Sequence, residues 1–338
     1  MANGEMIESF VPARLDRMPW ARWHWLIVIS LGATWILDGL EVTLAGSLGP
    51  ILTRPETLGL TDSKVGASAT CYLAGAVIGA ILFGYGTDRF GRKRLFFVTV
   101  AVYLIGTALS AFSWNFASYA TFRALTGAGI GGEYAAVNSA IDELIPARVR
   151  GRVDLMINGS YWVGAALGAA ATLILLDPNR FPVSLGWRFA FAIGATLGLI
   201  VISFRRWIPE SPRWLMIHGR NEEAERIVSD VEAKVAGSRR NGVMEYWSDV
   251  KSPTGAAYFN SPALRDSRTP TRVHTRTHTP WHEIWNAIVH EHRRRSLLGF
   301  VLMTTQAFFY NAIFFTYALV LMRFYKVPEN NVGIYLLP

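Results

Sequence analysis

The chain has 338 residues, with 33 Lys and Arg against 25 Asp and Glu, a net charge of +8. Charged residues make up 17% and apolar residues 51%, where soluble domains carry about 25% charged; this argues against soluble domains and excludes collagen-like and disordered chains. A single cysteine, Cys71, excludes a disulfide scaffold.

Six apolar stretches long enough to cross roughly 30 Å of hydrocarbon run through the first two thirds: Trp25 to Leu48, Val65 to Gly86, Leu95 to Phe112, Tyr119 to Ile141, Val153 to Leu176 and Phe189 to Trp207. A seventh covers Leu297 to Met322. Gly75/Gly79, Gly127/Gly131, Gly164/Gly168 and Gly194/Gly198 place small residues four apart on four of these spans, the spacing that lets helices approach closely in a bundle. Arg14, Arg17 and Arg22 precede the first span; Arg89, Arg92, Lys93 and Arg94 follow the second, and Arg148, Arg150 and Arg152 follow the fourth. The opposite loops are poor in Lys and Arg, so these three basic segments are expected on the cytoplasmic side with the amino terminus.

The expected organisation is an amino-terminal tail over 1–24, a six-helix bundle over 25–207, a cytoplasmic segment over 208–296 and a further membrane part over 297–338. Within the cytoplasmic segment, Asn221 to Val235 predicts a helix with Ala224, Ile227, Val228, Val231 and Val235 on one side, and Gly237 to Thr279 reads as linker. Thr279-Pro280 then opens a second helix that presents Trp281, Ile284, Trp285 and Ile288 to the membrane surface. His274, His278 and His282 are spaced by four, but Pro270 and Pro280 interrupt that stretch, so no metal site is expected, and no cofactor. The positive charge is assigned to orientation and lipid contact, not to nucleic acid.

Ionisable and amide side chains within spans usually face a cavity or a partner. They concentrate on the first span (Asp38, Glu41), the fourth (Arg123, Glu133, Asn138) and the seventh (Gln306, Asn311). Recurrence on every third helix suits a three-helix repeat whose first helix lines a central cavity. At 1.5 Å per residue, Glu41 lies roughly 24 Å from one edge and Arg123 roughly 6 Å from the other edge of a roughly 30 Å slab. The two reach one level, and a buried ion pair that opens when Glu41 takes a proton is expected, with a static structural pair as the alternative. Asp38, one turn from Glu41, is a second titrating site or a stiffening residue. Glu133 and Asn138 are candidate solute contacts, Glu133 alternatively a coupling-ion contact or salt-bridge partner. Gln306 and Asn311 suit either hydroxylated and carboxylated solutes or helix-to-helix bonding.

The loop Gly84-Tyr85-Gly86-Thr87-Asp88-Arg89-Phe90-Gly91-Arg92-Lys93 resembles the G-x-x-x-D-R-x-G-R-[KR] loop of the major facilitator superfamily. Arg123-x-x-x-Gly127, Glu143-x-x-Pro146-x-x-x-Arg150-Gly151 and Pro209-Glu210-Ser211-Pro212-Arg213-Trp214-Leu215 agree, the last two being similar to the sugar-porter branch in its broad sense. The resemblance implies an all-α integral membrane fold of the major facilitator type: a complete amino-terminal six-helix bundle, a cytoplasmic helical segment and the first one to two helices of a second half, truncated where Val332 to Pro338 opens an eighth helix. It implies gradient-driven alternating access, with Gly84, Asp88, Arg89, Gly91, Arg92, Glu143, Arg150, Glu210 and Arg213 in a gate, and it maps a first-helix triplet onto Gly39-Leu40-Glu41 opposite Arg123. Thr305-Gln306-Ala307-Phe308-Phe309-Tyr310-Asn311 lacks the first Gln and the Gly of the sugar-porter seventh helix, which weakens hexose. Gly129 to Glu133 and Asp38 to Glu41 look more like relatives that carry organic ions or aromatic and carboxylic acids.

The resulting expectation is a secondary transporter, not an enzyme, that takes a small organic solute together with H+ by symport. It would reside in the plasma membrane lipid bilayer, as a monomer if full length. The competing reading is a truncated, non-transporting fragment or sensor.

Overall fold

The computed structural model describes residues 6–9, 11–177, 179–240, 271–274 and 281–336. A short helix α1 (Val11–Asp16) precedes six long ones: α2 (Arg22–Leu52), α3 (Asp62–Phe90), α4 (Arg92–Ala111), α5 (Phe116–Leu144), α6 (Ala147–Leu175) and α7 (Val183–Phe204). A 3-10 turn, Arg205–Trp207, leads to α8 (Pro212–Ile217) and α9 (Asn221–Arg240). Beyond these lie α10 (Trp281–Asn286), a π-helical turn Ala287–Glu291, α11 (Arg293–Arg323) and α12 (Glu329–Leu336).

Local chemistry sets the helix ends. Thr61 caps α3 by accepting from the Lys64 amide. Asn115 and Ser118 satisfy each other's backbone N–H groups at the start of α5. Proline occupies the cap position before α6 and α7, where its missing N–H costs no helix bond. Gly91 breaks α3 from α4 at φ +91, a backbone region open to glycine.

By length and apolarity alone, α2, α3, α4, α7 with its 3-10 turn, and the first two thirds of α11 can cross a membrane. Helices α5 and α6 are as long as α3 and lie among these spans, α5 packed on α3 and α4 and α6 on α2. The protein is therefore a multi-pass membrane protein, with all seven expected spans present as helices. Outward-facing Ile78, Leu82, Leu155, Val163, Leu199 and Ile200 are exposed, as a lipid-facing surface requires.

Glycine lets the paired helices touch backbone to backbone. A Cβ on Gly131 of α5 would overlap the Ala76 carbonyl of α3, and one on Gly164 of α6 would overlap the Ile36 carbonyl of α2. Alanine at either site gains only about 1 kcal/mol of helix propensity against about 1–3 kcal/mol for overpacking. Gly131→Ala and Gly164→Ala should each lower the unfolding midpoint in detergent, and an unchanged or raised midpoint would contradict this packing. The Gly194/Gly198 pair serves a different contact, with the α4 side chains Thr107 and Leu104.

Outside the bundle the structure adds to the expected picture and changes it. The tail is docked: Arg14 of α1 pairs with Glu225 and, at 2.6 Å, with Glu232 of α9, whose Ala224, Val228, Val231 and Val235 are buried. The helix expected over Asn221 to Val235 continues to Arg240. Within the expected linker, Thr271–His274 pairs antiparallel with Met6–Ser9 as a two-stranded ladder, β2 on β1, Met6 opposite His274; residues 241–270 and 275–280, with His278, Thr279 and Pro280, lie outside the described residues. The second amphipathic helix is split into α10 and the π turn, with Trp285 and Ile288 exposed.

Hydrogen bonds from Arg14 hold the Glu232 carboxyl below its ordinary range. A depressed folded-state pKa means stability that is present above the unfolded value, about 4.3, and is lost as pH falls through the lower folded value. The half-exposed pair is worth about 0–1 kcal/mol. Amide exchange over residues 11–16, corrected for intrinsic rate, should therefore accelerate modestly on acidification below about pH 4; protection that rises instead would contradict the docking.

Candidate functional site: a buried charge core and a basic-end gate

Among the described residues, the core of the bundle buries three acids and two arginines. Glu41 of α2 and Arg123 of α5 form an ion pair with both side chains almost fully buried. The Arg123 guanidinium also lies over the Tyr72 ring at 4.9 Å and the Phe191 ring at 5.4 Å, so aromatic faces from α3 and α7 supplement the carboxylate. The helix-rise estimate that put these two at one level is matched by their contact.

Glu133 pairs with Arg205, a residue of the sixth span that the sequence analysis did not single out. Arg205 is fully buried, donates to Thr34 of α2 and lies over the Phe96 ring at 4.6 Å. Of the roles open to Glu133, the salt bridge is present in this conformation, with Arg205 as its partner.

Asp38 is the odd charge. It is 1% exposed, and neither carboxylate oxygen has a hydrogen-bond partner. The Tyr134 hydroxyl is turned toward it. Asn138, one turn on from Tyr134, is exposed and lies on the same stripe of α5. Gln306 is exposed, and Asn311 donates to the Ala307 carbonyl of its own helix at 2.8 Å. The fold does not bring these two amides to the charge core: α11 meets the bundle through Tyr310, Phe315, Leu319 and Arg323, the last pairing with Asp62 at 2.8 Å.

At the basic end, Glu210 accepts from the Arg92 amide at 2.8 Å and the Lys93 amide at 3.2 Å, at the start of α4. A Cβ at Gly91 would stand 2.8 Å from a Glu210 oxygen, so the Gly-Arg step of the loop is shaped to admit this carboxylate. Arg92 pairs with Glu143 at 2.8 Å and donates to the Ser139 carbonyl, and Ser211 donates to Glu143. The Trp214 indole donates to the Asp88 carbonyl at 2.8 Å. Gly84 lies on α3 within van der Waals reach of Ala135 on α5. Three of the expected gate residues stand apart from this network: Arg150 pairs with Asp16 of the tail at 3.1 Å, Arg89 rests near the Phe90 ring, and Arg213 is exposed. Arg213 points away because it follows Pro212 in a short helix whose buried face is taken by Leu215 and Met216.

The described residues thus form a helical membrane bundle with paired charges in its core and a braced loop at one end. The chain belongs to the sugar (and other) transporter family, whose model matches residues 45–335, within the major facilitator superfamily. It is 30% identical over 220 residues to the niacin transporter NiaP of Acinetobacter baylyi, covering 65% of this chain and 48% of that protein. It is 30% identical to the 4-hydroxybenzoate transporter PcaK of the same organism, covering 69% and 49%. To organic cation/carnitine transporter 7 of Arabidopsis thaliana it is 29% identical, covering 68% and 44%. The chain thus spans about half the length of the curated relatives it matches. Among solved structures, the partially occluded, inward-open xylose transporter XylE of Escherichia coli aligns with a TM-score of 0.56 at 21% identity, covering 64% of this chain and 57% of that one. A bacterial homologue of the lysosomal transporter Spinster aligns at 0.55 and 16% identity, covering 93% and 58%. At these identities the structural likeness establishes the fold.

Proposed function

We propose that the protein is a secondary active transporter of a small polar organic solute, driven by proton symport and alternating access, in the plasma membrane with its amino terminus in the cytoplasm. The observation that carries this reading is the Glu41–Arg123 pair, buried between α2 and α5. A carboxylate there is tolerated only while paired or protonated, so proton binding and pair opening are coupled events. Asp38 is the second candidate proton site. The bracing of Arg92 by Glu143 and Glu210 joins α4, α5 and the segment after α7, which supports a gate that holds one access state closed. The named solutes of the relatives, niacin, 4-hydroxybenzoate and organic cations or carnitine, with xylose among the structural neighbours, set the test panel.

The test is uptake of that panel into proteoliposomes with and without an imposed pH gradient. Gradient-dependent accumulation of at least one solute, lost in Glu41→Gln, is expected. Accumulation of none under any gradient overturns the transporter reading, and gradient-driven accumulation that survives in Glu41→Gln overturns the proton role of the pair.

A further inference from the structure

The buried charges do not balance. Glu41 is answered by Arg123 and Glu133 by Arg205, and Asp38 remains with both oxygens unpartnered. Arg205 is near enough to act on Asp38 but is already committed to Glu133 and Thr34. By the rule applied to Glu41, Asp38 holds a proton until a cation arrives to pair with it, and it is then the one acid of the three left to answer an incoming positive charge.

What surrounds that charge is aromatic. Trp35, one helical turn before Asp38 on α2, stacks on Tyr134 of α5 with ring centroids 4.7 Å apart and meets Tyr161 of α6 edge-on at 6.5 Å. Tyr161 in turn meets Tyr310 of α11 at 6.0 Å. Four helices therefore contribute a continuous wall of electron-rich rings beside an unanswered carboxylate. Tyr72 of α3 and Tyr103 of α4 also lie within electrostatic reach of Asp38. Indole and phenol faces attract cations, and rings gathered around a desolvated site are the usual receptor for ammonium groups, which they hold more strongly than water-exposed rings do. The same rings give an anion no such attraction, and an anion cannot pair with the carboxylate.

We propose that Asp38 with Trp35, Tyr134, Tyr161 and Tyr310 forms a site for the cationic nitrogen of an organic solute, a quaternary or protonated amine. The inference rests on the transporter reading and narrows its substrate class. It also explains why Asp38 is placed one turn from Glu41: the proton-responsive pair and the solute charge share one helix, so movement of α2 is felt by both. The Trp35 indole N–H, buried and unpartnered, supplies a donor for a hydroxyl or carboxylate on the same solute. In the present conformation the rings touch, so ligand entry requires the Trp35–Tyr134 stack to open.

The test is equilibrium binding of radiolabelled choline to the purified chain in lipid nanodiscs. Saturable binding is expected, displaced by tetramethylammonium but at least about tenfold less well by benzoate or by 3,3-dimethylbutanol, the neutral isostere of choline. Asp38→Asn should weaken binding by about tenfold or more, Trp35→Leu by several-fold, and the surface change Asp230→Asn on α9 not at all. Binding should also weaken as pH falls, because a proton competes for the same carboxylate. Absence of saturable choline binding by a helical, cooperatively melting wild-type chain overturns the inference, as does equal displacement by the neutral isostere. If Asp38→Asn does not fold, the isostere comparison on the wild type decides. A wild type that accumulates an acid or a sugar under a proton gradient but binds no choline sinks this site and leaves the transporter reading standing; choline binding without accumulation of any solute does the reverse.

Discussion

Replacing Arg123 with leucine should destabilise the bundle by about 3–5 kcal/mol, the cost of stranding one member of a buried ion pair. Glu41 then faces hydrocarbon-like surroundings with no cation within reach, because Arg205 is held by Glu133. Glu41→Gln should cost less, since the Arg123 guanidinium retains the Tyr72 and Phe191 ring faces and a glutamine oxygen can still accept its hydrogen bond. The double variant Glu41→Gln/Arg123→Leu should be more stable than Arg123→Leu alone, as removing the stranded charge removes its desolvation penalty. Denaturant titrations in mild detergent, closed as a double-mutant cycle, check all three. An Arg123→Leu loss below about 1 kcal/mol, the scale of an exposed pair, would show that solvent reaches the pair.

The second large effect belongs to Arg205. Arg205→Leu leaves Glu133 and Asp38 as two buried carboxylates with no cation committed to either. We expect a loss of about 3–5 kcal/mol, with Arg205→Lys only partly corrective, because an ammonium replaces a guanidinium fork that also donates to Thr34. Glu133→Gln in the Arg205→Leu background should restore much of the stability. Because Thr34 is on α2, Glu133 on α5 and Arg205 at the end of α7, this pair is a three-helix tie. Its loss should raise amide exchange at the α7 end before it does so in α3, and uniform exchange across the bundle would contradict that local role.

Much of the architecture was legible in the chain. The apolar runs, their glycine spacing and the distribution of arginines specify spans and loops, since in hydrocarbon a backbone must satisfy its own hydrogen bonds and thick slabs demand long helices. The Glu41–Arg123 level followed from helix rise alone. Arg205 could not be found that way. Arg205 falls within the expected sixth span, but which carboxylate it meets depends on where α7, with 22 residues against 29 in α5, ends beside its neighbours. The unanswered state of Asp38 was equally hidden, because it depends on which of two arginines each of three acids meets.

The sequence by itself determined a multi-pass helical bundle, a basic end and a short set of candidate polar side chains within the spans, because periodicity, length and charge asymmetry are properties of the chain taken locally; the major facilitator type came from the resemblance of its loop motifs. Only the tertiary structure decided the pairings: Glu133 with Arg205, Glu210 on the α4 amides, the tail's Arg14 on α9 and the aromatic wall around Asp38. Those depend on how far each helix is tilted, shifted and ended relative to its neighbours, and in a bundle held by glycine-to-backbone contacts that relation is set by close packing between segments far apart in the chain.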